Sequence, residues 1–128
     1  MKVLLDTHAF LWLLSGDHRL SEKARKTFLN SGNELFFSAA SLWEMCIKIS
    51  LGKISMKKGW YEAVQSEMEA NAIQWLPIDM PHCERLAKLP FHHRDPFDRM
   101  LIAQAIVEDM QLLSRDTCLS AYDIHRVW

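Results

Sequence analysis

Short apolar runs recur along this chain with a helical stretch between each one and the next, and that alternation limits the possible folds more than any other feature. Val3-Leu4-Leu5 is the first run, ending at Asp6. With no polar residue on either face, it predicts a strand covered on both sides. Leu35-Phe36-Phe37 predicts a second strand and Leu112-Leu113-Ser114 a fourth. Residues 75–78 give a third, in which Pro77 argues for an end or an edge, and residues 124–128 a candidate fifth. Helical signals fill the intervals. They cover 9–14, 21–29 (opened by Ser21-Glu22, stopped at Asn30-Ser31-Gly32), 38–51 (ended by Gly52), about 58–71, about 81–89 and 96–109. Strands alternating with helices predict an α/β fold: three layers, α/β/α, around a central, mostly parallel sheet of four to five strands.

A length of 128 residues without a repeat, linker or low-complexity tract predicts one domain over 1–128. The 49% apolar and 24% charged residues exclude disordered and fibrous classes. A formal charge of −1 leaves no overall basic field, so any attraction for nucleic acid must be local. The three cysteines, Cys46, Cys83 and Cys118, are too widely spaced for a disulfide framework or a paired zinc site, and a reducing cytoplasm suits them. Asp6 and His8 interrupt the apolar N-terminus, so neither export nor a membrane span is expected.

In a parallel sheet, ligands bind beyond the carboxyl ends of the strands. Four acids stand near such ends: Asp6 after strand one, Glu44 early in the helix after strand two, Asp98 in the first turn of the helix before strand four, and Asp116 just after strand four. Each has a plain structural explanation. Asp6-Thr7 and Asp116-Thr117 can cap the next helices, and Asp95-Pro96 reads as N-cap and first helical position. Ser41 and Glu44 match a capping box, and Glu44 with Lys48 matches a surface pair of about 0.3–0.5 kcal/mol. Two features weigh against leaving it there. From Met100 to Val107 only Gln104 is polar, so the helix carrying Asp98 is expected to be buried nearly all round, and Glu44 shares its helix with Leu42, Trp43, Met45, Cys46, Ile47 and Ile49. Carboxylates about 4 Å apart repel by about 4 kcal/mol at an effective dielectric near 20. A cluster therefore needs protonation or a divalent cation, and Mg²⁺ or Mn²⁺ suits all-oxygen ligands.

Four segments, 4–12, 38–45, 95–105 and 112–116, resemble in order the motifs of PIN-domain ribonucleases, specifically the VapC-type toxins of bacterial toxin–antitoxin pairs. The resemblance spans nearly the whole chain and implies a PIN-like sandwich. It places the family's four acids on Asp6, Glu44, Asp98 and Asp116, and its hydroxyl residues on Thr7 and Ser114. Asp95 stands close enough in sequence to assist or replace Asp98. What the resemblance implies is one or two Mg²⁺ or Mn²⁺ ions, hydrolysis of RNA, a homodimer, and a small antitoxin that covers the site.

An acidic site still has to attract RNA. Residues 45–61 contain no acid but hold Lys48, Lys53, Lys57 and Lys58, while Arg94, Arg99 and Arg115 flank the proposed ligands. These are candidate phosphate contacts, or else a solvated basic face. His92-His93 has no third ligand at zinc spacing, and His8 is expected to pack at a helix start or to contact substrate. Two rivals remain. A phosphoacceptor receiver would need adjacent acids after strand one, where Thr7 and His8 stand, and its Asp79 equivalent is better read as a helix cap. A non-catalytic PIN-like binding module would keep the fold without the chemistry.

Overall fold

The computed structural model describes residues 1–128. Strands β1 (Lys2–Leu5), β2 (Glu34–Ser38), β3 (Gln74–Leu76), β4 (Gln111–Leu113) and β5 (Arg126–Val127) form one sheet in the order β3-β2-β1-β4-β5. Every pair is parallel. Helices α1 (Thr7–Ser15), α2 (Glu22–Leu29), α3 (Ala39–Ser50), α4 (Trp60–Ala70), α5 (Met80–Lys88) and α6 (Pro96–Val107) complete the three layers, with a 3₁₀ turn at Thr117–Ala121. The order differs from the 2-1-3-4-5 sheet of a receiver module, which sets that rival aside.

Strand alternation divides the core in two. Val3, Leu5, Phe37 and Leu113 point to the face packed with Phe10, Ala24 and Val64, whereas Leu4 and Leu112 point to the face packed with Leu101, Ile102 and Leu119. As the central strand, β1 buries Val3, Leu4 and Leu5 completely, the reason its run has no polar position. Trp75 is the exception to the apolar pattern. It lies on edge strand β3, which ends at Leu76 before Pro77, and it stays 48% exposed. No helix is long and apolar enough to cross a membrane.

Caps define the helix ends that matter for the site. The Asp6 carboxylate accepts the Ala9 N–H at 2.7 Å and starts α1, while Gly16, at φ 65°, ends it in the left-handed conformation that a side chain would strain. Ser38, not Ser41, caps α3, through a bond from the Ala40 N–H. The expected Ser41–Glu44 capping box is therefore absent: Ser41 lies inside the helix, buried, with its hydroxyl unpartnered. Asp79 caps α5 in a box with His82. Because β1 is followed by β2 on one side and paired with β4 on the other, the chain reverses direction across the sheet between β1 and β4. The carboxyl ends of those two strands form the crevice where an open α/β sheet binds ligands.

Candidate active site

Helices α1 and α3 each leave a strand's carboxyl end and α6 feeds β4, so all three begin at the same edge of the sheet. Their N-termini bring positive dipole ends and free N–H groups to that edge, a setting that tolerates carboxylates. Asp6, Asp98 and Asp116 line one open cavity of about 360 Å³ there, together with His8, Trp12, Arg19 and Arg115. A larger hollow of about 590 Å³ lies at the opposite edge, around Met1, Lys2 and His125, away from the carboxyl ends of the strands.

Asp6 is 6% exposed. Burial pushes its carboxyl above the usual range, against the pull of the Ser114 hydroxyl and the Ala9 N–H. Ser114 is fully buried and also accepts the Asp116 N–H at 3.1 Å, which ties the end of β4 to the acids. Asp98 is raised as well. Burial first, then the charge of Asp95 with smaller contributions from Asp6 and Glu44, raise it from 3.8 to about 7, against the pull of His93. Asp116 is lowered. Burial works to raise it, but bonds from His93 and from the Cys118 N–H outweigh that. Capping and clustering thus coexist, since Asp116 also caps the 3₁₀ turn by accepting the Cys118 N–H at 2.9 Å.

Glu44 stands behind this wall. At 4% exposure it accepts the Thr7 hydroxyl at 2.7 Å on one oxygen and the Lys48 ammonium at 2.8 Å on the other. The Glu44–Lys48 pair is therefore part-buried, with Glu44 in the interior and Lys48 reaching in from the surface, and Lys48 is committed to it. Asp95 directs one oxygen to the N–H groups of Phe97 and Asp98, at 2.8 and 3.1 Å, as the cap of α6. It acts on Asp98 through charge.

Of the expected basic residues, Arg115 is exposed at the cavity with its guanidinium 5.9 Å from the Trp12 ring, and Lys53 is exposed in the turn after α3. Arg99 requires correction. It is 5% exposed and donates to the carbonyls of Pro90, Leu86 and Leu89, so it holds the end of α5 and is closed to phosphate. The Phe91 ring lies over the guanidinium, 4.0 Å from its carbon to the ring centroid, and the backbone carbonyls take its N–H groups. His8 is exposed beside Trp12, with no packed role at the helix start. The residue that motif reading undervalued is His93, whose Nε2 lies 2.9 Å from Asp116 Oδ2 and 3.3 Å from Asp98 Oδ2. Its signal was position: two residues before an N-cap, a ring nitrogen can accept the cap's own N–H.

Ligand-capable atoms of His93, Asp98 and Asp116 all lie within 4.8 Å of one another. Two carboxyls with raised pKa, Asp6 and Asp98, face the same cavity, and neither is paired with a lysine or arginine. Hard oxygen donors with unquenched charge fit a Mg²⁺- or Mn²⁺-class ion.

The PIN domain family model matches residues 3–124. The chain belongs to the PIN domain family. Among solved structures, this PIN chain superposes on VapBC2 from Rickettsia felis bound to a DNA fragment from their promoter, with TM-score 0.74 and 13% identity over 98% of this chain and 97% of that one. It also superposes on a toxin-antitoxin complex from Klebsiella pneumoniae (TM-score 0.64, 19% identity, 98% and 96% covered) and on VapBC-1 from nontypeable Haemophilus influenzae (0.67, 17%, 98% and 96%). No curated protein sequence matches the chain.

Proposed function

We propose that this PIN-domain protein is a metal-dependent endoribonuclease and the toxin of a toxin–antitoxin pair. The observation that carries the proposal is the convergence of Asp6, Asp98 and Asp116 on one open cavity, with two of the three carboxyls pushed up by burial and mutual charge. Similarity in fold to chains from VapBC complexes supports the toxin assignment and a cognate antitoxin; a homodimer and a cytoplasmic setting are part of the same proposal.

Asp6, Asp98 and Asp116 would hold the cation, Mg²⁺ or Mn²⁺. What such an ion supplies when bound is positive charge against the phosphate oxygens and a water of lowered pKa. The protein's own part follows from the geometry. Asp98, raised to about 7 by burial and by the charge of Asp95, would give up its proton when a cation binds. Thr7 donates its hydroxyl to Glu44 and holds that carboxylate in place, and Ser114 bonds Asp6 while accepting the Asp116 N–H. Glu44 adds negative charge from behind. Arg115, with Lys53 farther out, would neutralise phosphates of a single strand. The exposed Trp43, edge-on to Phe97 over an apolar cavity of about 180 Å³, offers area for a protein partner to cover.

The test is to incubate the purified protein with mixed RNA, with and without a chelator, and to sequence the ends. Cation-dependent cuts at defined positions are expected. Intact RNA with both Mg²⁺ and Mn²⁺ would instead support the non-catalytic PIN-like module.

A further inference from the structure

The connection from α5 to α6, residues 89–95, is held more firmly than a link between two helices requires. The Tyr122 hydroxyl accepts the N–H groups of His92 and His93, at 3.0 and 2.9 Å, and donates to the Pro90 carbonyl at 2.9 Å. From below, the buried Arg99 guanidinium donates to the Pro90 carbonyl at 2.9 Å and reaches the Leu86 and Leu89 carbonyls at 3.3 and 3.4 Å. Burying a guanidinium is costly unless its donors are used, and here they fix a turn. That turn delivers the ring of His93 to the acid site.

Both nitrogens of the ring are committed. The Asp95 N–H donates to Nδ1 at 3.0 Å, so Nδ1 carries no proton and the ring hydrogen sits on Nε2. Nε2 is 2.9 Å from Asp116 Oδ2 and 3.3 Å from Asp98 Oδ2, one hydrogen shared unequally between two carboxylates on separate elements. We propose that His93 is a positioning residue of the acid site, whose Nε2–H draws Asp116 and Asp98 toward one point, and that it is not itself a ligand of the cation. The inference rests on the cation-dependent function proposed above.

The close spacing of the three side chains invites the opposite assignment, in which Nε2 ligates and the site prefers a zinc-like ion. A ligating Nε2 must present its lone pair, which moves the ring proton to Nδ1. That position already faces the Asp95 N–H, so ligation would set two donors against each other at the cap of α6.

Long-range ¹H–¹⁵N correlation spectra of the wild-type imidazoles test this without a substitution. The Nε2–H pattern is expected for His93 both without and with Mg²⁺. An Nδ1–H pattern, or a shift of Nε2 to a ligated value on adding Mg²⁺, overturns the proposal. Calorimetric titration with Mg²⁺ alone adds a second readout. His93→Phe keeps a ring and loses the donor, and its Mg²⁺ affinity should fall about 10–100-fold. His93→Gln, whose carboxamide N–H reaches about as far, should return to within a few-fold of wild type. Unchanged affinity in His93→Phe overturns the positioning role. Wild-type protein that binds Mg²⁺ with this His93 dependence but cuts no RNA keeps that role and overturns the nuclease proposal.

Discussion

Replacing Asp98 by Asn should stabilise the protein in the absence of divalent cation, by an amount that depends on pH. The Asp98 carboxyl titrates near 3.8 in an unfolded chain and at about 7 in the fold. That difference of about 3 units corresponds to about 4 kcal/mol at 1.36 kcal/mol per unit. The sign follows from proton linkage. The folded state holds the proton more tightly, so stability declines as pH rises from about 4 to about 7, and the full cost is present above that. Asn keeps the shape of the side chain and carries no charge against Asp95, Asp6 or Glu44. In urea denaturation with EDTA present, Asp98→Asn should exceed wild type by about 4 kcal/mol at pH 8, narrowing to about 1 kcal/mol at pH 4.5. Adding Mg²⁺ at pH 8 should raise wild type toward the variant and leave the variant where it was. A variant that is less stable at pH 8, or a gap that does not change with pH, would refute the assignment of strain to this carboxyl.

Asp6→Asn should abolish cation-dependent RNA cleavage with an unchanged circular dichroism spectrum, because Asn still caps α1; retained cleavage would remove Asp6 from the site. Arg99→Met strips buried carbonyls of their donor and should lower stability by roughly 1–3 kcal/mol in urea, while the salt dependence of RNA binding stays as in wild type. Lys48→Met leaves the Glu44 carboxylate buried with one partner fewer and should cost roughly 1–3 kcal/mol, well above a surface helix pair; a cost under about 0.5 kcal/mol would show that the pair is effectively solvated. Arg115→Gln should lower the slope of log affinity for RNA against log salt by about 1, read by fluorescence anisotropy across salt concentrations.

Most of the architecture was legible because burial on both faces leaves a strand no polar position: Val3-Leu4-Leu5 and Leu112-Leu113 read as they fold. Helix starts were legible where a side chain must satisfy free N–H groups, as at Ser21, Asp79 and Asp95. The sheet order was not, since nothing along the chain states which strand lies beside β1, yet that order is what brings the turns after β1 and β4 together. At Glu44, a matched capping pattern lost to Ser38, one helical turn earlier, because β2 runs directly into α3. Arg99 read as a cation flanking the site. In the fold it points inward from α6, where the open carbonyls at the end of α5 claim it. His93 drew attention only as a zinc ligand lacking companions, whereas its partners are carboxylates 5 and 23 residues away that a single sequence does not pair with it.

The convergence of Asp6, Asp98 and Asp116 on a cation can be measured directly by anomalous diffraction from a crystal soaked in Mn²⁺. A peak within coordination distance of carboxylate oxygens from those three residues, absent from an Asp6→Asn crystal treated identically, is the predicted result. A map with no peak in that cavity, or with manganese only elsewhere on the surface, would contradict the account.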